Sequence, residues 1–358
     1  MNTKHFQTGG APLRSPDKHR YLAALRLVET DGVSFQENEF DSAMVAHLLG
    51  RSVPRVRSFE LPARDLVELA LRAGNDMVYL AHIWELGRHN VFDKDGRKHY
   101  QDGTMKTRAD LKRIVPPPLA AIRRALDETL SAMQGTGLGL IYALNPVPFI
   151  VTTAVGYEDY YIALAADPDF ILEFQKAVAE YCFQQAELVL SYPVDALQIG
   201  LVLCSKQGPM MSRSMMEQFE FPYARKVLAM ARAKGCPVTL HTDGYIADLI
   251  PTFIEMGFAA LNPLEPCDGR QDIYELKRRC GDRIALHGNI DLAGVLVQGA
   301  PDEVAADVSD HCARLSVGGG YLCASSHNIT EAVPPANFYA MRDAVHAFEA
   351  KIKIKNGY

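Results

Sequence analysis

The sequence predicts an α/β fold of one kind, a single (β/α)₈ TIM barrel with an N-terminal extension and an inserted segment after the second strand. Three observations carry this. Short β-like runs alternate with longer helical patterns, the signature of parallel βα units. The chain has 358 residues and is 48% hydrophobic, and roughly 250 residues suffice for a complete barrel. Polar residues collect where the β-like runs end, which is where a barrel of this kind keeps its active site. One domain over residues 1–358 is therefore expected.

Taken in order, residues 1–17 form a polar leader without the apolar core of a signal peptide. Strand one, Val33–Glu39, runs into Gln36, Glu37, Asn38 and Glu39, with Glu37 and Glu39 on one face. Strand two, Asp76–Ile83, ends at His82 and Trp84. Residues 85–118 fit no βα unit; they are polar and turn-rich, with a hairpin expected around Lys94-Asp95-Gly96, and read as an insertion near the barrel mouth. Strand three, Leu138–Leu144, ends at Asn145, and strand four, Ala196–Val202, carries Gln198 and leads to Cys204, Ser205 and Lys206. Strand five, Pro237–His241, delivers His241, Asp243 and Tyr245; strand six, Ala259–Leu264, delivers Asn262 and Glu265. Strand seven, Arg283–His287, ends in His287, Asn289 and Asp291, the last a favoured helix N-cap type. Strand eight, Gly320–Ala324, leads to Ser325, Ser326, His327 and Asn328. The helices predicted at Ile246–Met256 and Asp272–Cys280 are each followed by glycine.

Composition excludes several classes. Lys and Arg total 37 against 43 Asp and Glu, a formal charge of −6 without a basic block, so nucleic acid is not an expected partner. Seven cysteines (Cys182, Cys204, Cys236, Cys267, Cys280, Cys312, Cys323) are scattered without a C-x-x-C pair and suit reduced cytoplasmic thiols. The most apolar stretch, Leu138 to Gly156, is broken by Asn145, Pro146 and Pro148, so no membrane span is expected. A homodimer is left open.

His241 and Asp243 are two apart and face one side of a regular strand, as do Cys323, Ser325 and His327. Side chains at a barrel mouth converge on its axis, and two imidazoles with a carboxylate match a catalytic zinc site with one open position. Cys323 is the alternative ligand. A hydrogen-bonding role for either histidine in a pocket without metal remains open at this stage.

Three segments, VTLHTDGYIADLIPTFIEMGFAALNPLEPCDG, DRIALHGNID and GGGYLCASSHNITEAVPPANFYAMRDA, resemble the C-terminal half of the uroporphyrinogen-decarboxylase-like superfamily. Weaker similarity runs through PDKHRYLAALRLVETDGVSFQENEFD and PMMSRSMMEQFEFPYARKVLAMARAKG. The resemblance implies a TIM barrel and one of two activities: decarboxylation of a tetrapyrrole precursor, or methyl transfer involving a corrinoid carried by a partner protein. Decarboxylases carry arginines at strand one to hold the macrocycle's carboxylates; GVSFQENEFDSAMVAHLLGR offers amides and acids there. Thiol-methylating relatives hold zinc by an H-x-C pair after strand five and a cysteine after strand eight, and the matching positions here are His241, Asp243 and His327.

Replacing thiolates by carboxylate and imidazole keeps zinc a stronger Lewis acid, as a methyl donor ether needs. The resemblance thus implies an O-demethylase-type methyltransferase that passes a methyl group from a methoxylated aromatic compound to cob(I)alamin on a corrinoid protein. His287 or Glu265 would donate a proton to the leaving oxygen. Glu37, Glu39, Trp84, Asn145, Gln198, Lys206, Tyr245 and Asn289 would bind substrate, with Phe40, Trp84 and Tyr245 as an aromatic wall. Thiol methylation, uroporphyrinogen-type decarboxylation and an inert barrel that only docks a corrinoid protein stay open as alternatives.

Overall fold

The computed structural model describes residues 13–94 and 96–349, so most of the polar leader lies outside the described residues. Eight parallel strands occupy the eight expected runs: β1 Ser34–Phe35, β2 Met77–Ala81, β3 Gly139–Ala143, β4 Ala196–Gly200, β5 Val238–His241, β6 Ala260–Asn262, β7 Ala285–His287 and β8 Tyr321–Cys323. Their order in the curled sheet is β1-β8-β7-β6-β5-β4-β3-β2. The first strand therefore pairs with the last, Ser34 against Leu322 and Phe35 against Cys323. The remaining seam, between β1 and β2, is bridged by the Asp76 N–H to the Phe35 carbonyl at 3.2 Å. Side chains finish it, with Gln36 Oε1 accepting from the Met77 N–H at 3.0 Å and Asn75 Oδ1 from the Glu37 N–H at 3.1 Å.

Alternation sorts each strand into an inner and an outer face. Met77, Ile141, Ala196, Ala260, Ala285 and Leu322 meet inside the barrel's lower end and pack on Tyr21, Ala24 and Leu25. Those three belong to the helix Lys18–Leu25, capped by Asp17, which closes the barrel floor. The outward residues, among them Val78, Leu140, Leu197, Leu240, Leu261 and Leu286, join the helices in the main core.

The segment after β2 forms an antiparallel hairpin, Arg88–Phe92 with Lys98–Gly103. Gly103 lies so close to the helix Val147–Val155 that a Cβ there would stand 2.3 Å from the Ala154 carbonyl oxygen. The hairpin tip is tied to the loop after β8 by an Arg97–Glu331 ion pair. It thus reaches across the C-terminal face of the barrel. The helix expected at Ile246–Met256 begins at Ile250 and ends at Gly257, whose φ of 94° suits glycine. Among the described residues no helix is long and apolar enough to cross a membrane.

Candidate functional site

A cavity of about 340 Å³ opens at the C-terminal ends of the strands. Its inner wall follows the alternation of each strand: Tyr79, Ala81 and Ile83 from β2 and its extension, Gln198, Gly200 and Val202 from β4, His241 and Asp243 from β5. Phe59, Phe149 and Tyr157 add aromatic surface, and Asn38, Glu39, Arg57, His327 and Asn328 supply the polar rim.

His241, Asp243 and His327 meet at one side of this cavity. Asp243 Oδ1 lies 3.7 Å from His241 Nε2 and 3.8 Å from His327 Nε2, and the two imidazole rings sit edge to face with centroids 6.4 Å apart. His241 is oriented by its other nitrogen, Nδ1, 3.0 Å from Asn262 Oδ1. Gly244 makes the turn after Asp243 at φ +82°, where a Cβ would stand 2.5 Å from the Ser205 carbonyl oxygen. A larger residue there would shift the carboxylate.

Asp243 Oδ1 is buried and has no hydrogen-bond partner, an expensive condition for a carboxylate oxygen unless a cation faces it. Tetrahedral zinc with ligands about 2.0–2.1 Å away holds them roughly 3.4 Å apart. Among the described residues no group of three or more His, Cys, Asp or Glu side chains is placed closely enough to hold a metal ion as it stands. Each imidazole Nε2 stands a few tenths of an ångström farther from Asp243 Oδ1 than that spacing, and the donor set itself is one that zinc accepts.

Of the expected substrate residues, Gln198 and Glu39 reach the cavity. Gln198 Oε1 accepts from the Tyr79 hydroxyl at 2.8 Å. Glu39 takes one Arg57 nitrogen on both oxygens, at 2.7 and 3.0 Å, so the cation at the rim is already partnered.

The others are placed elsewhere. Glu37 is buried against β8, its carboxyl accepting from the Ser325 N–H at 2.5 Å. Trp84 packs edge-on against Tyr181, its backbone N–H donating to Asn145 Oδ1 at 2.8 Å, so both residues are spent on joining the loops after β2 and β3. Asn289 is held by the Leu264 carbonyl at 2.8 Å. Phe40 packs on Phe338, and Tyr245 lies under the Arg270 guanidinium. Each sits past a strand end, where the chain turns and alternation no longer fixes direction.

Lys206 and Glu265 line a second cavity of about 230 Å³ together with Cys267, Asp268 and Asp291. His327 borders both cavities, but Glu265 faces away from the first and accepts from the Gly244 N–H at 3.2 Å. Asp291 caps the following helix by accepting from the Ala293 N–H. Cys323 faces outward into the main core, where burial pushes its thiol well above the usual range. It is not a candidate ligand, because β8 ends there and His327 reaches the cavity from the loop.

His287 points into the barrel beneath the cavity, fully buried, with Nε2 2.9 Å from the Gln36 carbonyl oxygen and Tyr21 at its edge. Burial pushes it down to about 4, so the ring is neutral at pH 7 and has no path to a substrate oxygen. The folded-state value lies below the ordinary 6.5, so its contribution to stability is complete above pH 6.5 and is lost as pH falls towards 4. That is about 3 kcal/mol at full expression. Urea denaturation at pH 7 and pH 4.5 should show the loss, and His287→Gln should flatten it.

Comparison with known proteins then identifies the chain. A family model described as uroporphyrinogen decarboxylase (URO-D) matches residues 107–348. The chain belongs to the URO-D family. The curated relative from Pseudoalteromonas translucida, named uroporphyrinogen decarboxylase, is 28% identical over 173 residues, 46% of this chain and 47% of that protein. In such matches the chain spans about half the length of the relative. One from Anaeromyxobacter, of the same name, aligns over 288 residues at 26% identity, covering 76% of this chain and 79% of its own length. Among solved structures, a methyltransferase from Methanosarcina mazei superposes with a TM-score of 0.71 at 18% identity, over 92% of this chain and 97% of that one. At that identity the fold is what the two demonstrably share.

Proposed function

We propose that this URO-D family member is a methyltransferase that removes the methyl group of a methoxylated aromatic compound and passes it to cob(I)alamin on a separate corrinoid protein. The observation that carries this reading is the cluster of His241, Asp243 and His327 on one side of a cavity whose other side is aromatic. Zinc held by these three side chains would act as a Lewis acid on the ether oxygen.

The chain's own residues would do the rest. Phe59, Tyr79, Phe149 and Tyr157 would hold the ring against the cluster. Asn262 keeps His241 Nδ1 engaged, leaving Nε2 directed at Asp243. Gln198, tethered by the Tyr79 hydroxyl, lines the cavity wall beside the cluster.

The family name and its curated relatives favour a second reading, uroporphyrinogen-type decarboxylation. A polycarboxylate needs several free guanidinium forks, and Arg57, the arginine on this cavity wall, already faces Glu39. A cavity of about 340 Å³ also lies near the small end of ligand sites, roughly 300–1,000 Å³.

The two readings separate in one assay. Purified protein with a reduced corrinoid protein and a panel of methoxyarenes should form methyl-cobalt, read from the corrinoid absorbance. Absence of methyl-cobalt across the panel, with carbon dioxide released from uroporphyrinogen, would reverse the assignment. Metal analysis should find zinc in the wild type and little in His241→Ala.

A further inference from the structure

The turn that carries His327 is held by the polar run that continues β1. At its far end the Ile329 N–H donates to the Glu39 carbonyl at 3.0 Å, and the Asp41 N–H to the Ile329 carbonyl at 2.8 Å. At its near end Glu37 accepts from the Ser325 N–H at 2.5 Å and faces Ser325 Oγ at 2.9 Å. Ser325 Oγ also bonds to the His327 carbonyl oxygen. The His327 ring is less firmly held. Its side chain is 43% exposed and its Nε2 stands 3.8 Å from Asp243. The place of this ring is therefore set by its backbone.

Hydrogen accounting decides how that backbone is held. A serine hydroxyl carries one hydrogen, and a carbonyl oxygen can only accept. If Ser325 Oγ–H is given to the His327 carbonyl, the hydrogen between Oγ and Glu37 Oε2 must come from a protonated Glu37. The chain then runs Glu37 O–H to Ser325 Oγ–H to the His327 carbonyl, with every group satisfied. Surroundings agree, because Glu37 is buried with no cation against it among the described residues, and burial pushes its carboxyl up to about 8. The Glu37 backbone is itself fixed at the β1–β2 seam by Asn75, at 3.1 and 2.7 Å.

We propose that Glu37 is a positioning residue that, through the Ser325 hydroxyl, clamps the His327 carbonyl and so fixes the His327 imidazole opposite Asp243 and His241. The proposal rests on the reading of His327 as a member of the reacting cluster.

The test uses the full chain without metal, labelled for side-chain ¹⁵N spectra of histidine, followed by a Zn²⁺ titration. Ser325→Ala and Glu37→Ala should shift or broaden the His327 resonances, leave those of His346 in place, and weaken Zn²⁺ binding by about tenfold or more. Glu37→Gln should restore both, because its amide donates to Oγ while its carbonyl accepts from the Ser325 N–H, mimicking the protonated acid. A folded Glu37→Gln as damaged as Glu37→Ala would overturn the clamp, and so would an unmoved His327 signal in Ser325→Ala. Wild-type protein that binds no Zn²⁺ would remove the metal reading, while the histidine spectra would still decide the role of Glu37.

Discussion

Asp243→Ala should reduce the proposed methyl transfer by about 10³-fold or more, some 4 kcal/mol of transition-state stabilisation, while leaving the fold unchanged. Asp243 follows β5 on the inward face, and its Oδ1 is the atom toward which both imidazole Nε2 atoms converge, at 3.7 and 3.8 Å. Removing it takes the carboxylate from between two ring nitrogens and so weakens any cation bound there. Asp243→Asn, nearly the same size, should fall almost as far, because the missing property is charge rather than shape. Zinc content, circular dichroism and the rate of methyl-cobalt formation measure the three parts separately. A variant that keeps more than a tenth of wild-type turnover would show that the cluster does not act on the leaving oxygen.

Asp76→Asn should destabilise the barrel by about 3–5 kcal/mol, because removing one member of a buried ion pair leaves the other charge uncompensated. Asp76 Oδ1 accepts from Arg20 at 2.6 Å and from the Asp17 N–H at 2.9 Å, while Oδ2 accepts from Ser34 Oγ at 2.7 Å. One carboxylate thus joins the floor helix, β1 and the start of β2. Urea denaturation measures the loss, and Arg20→Met combined with Asp76→Asn should recover part of it. If the single variant costs less than about 1 kcal/mol, the pair is solvated in practice and the floor helix is held chiefly by the packing of Tyr21, Ala24 and Leu25.

All eight strands were legible in the sequence, since each is a short apolar run set between turn residues. Alternation also placed His241 and Asp243 correctly on one face. The same rule puts Tyr79, Ala81 and Ile83 of β2 and Gly200 and Val202 of β4 on the cavity side, whereas Trp84 and Asn145, the polar or aromatic residues that end their runs, lie where the chain has already turned. Arg57 and Phe59 were not legible in this way. They arrive on the short helix Ser58–Glu60, between β1 and β2, and nothing local says that this helix folds back over the mouth. Cys323 misled because its spacing to His327 assumes a strand that continues, whereas β8 stops at Cys323. His287 was placed correctly on the inner face and wrongly in depth, one layer beneath the cavity.

The pairing of β1 with β8 fixes when, in the life of each molecule, the site comes into being. Ser34 and Phe35 have their ladder partners at Leu322 and Cys323, so the segment bearing Glu37 and Glu39 waits until that distant strand has been made before it finds its neighbour. Contacts this distant in sequence carry the largest closure cost and form late. A nascent chain arrested before residue 321 would hold His241 and Asp243 on a partly built sheet, with neither the His327 turn nor the strand that supports it.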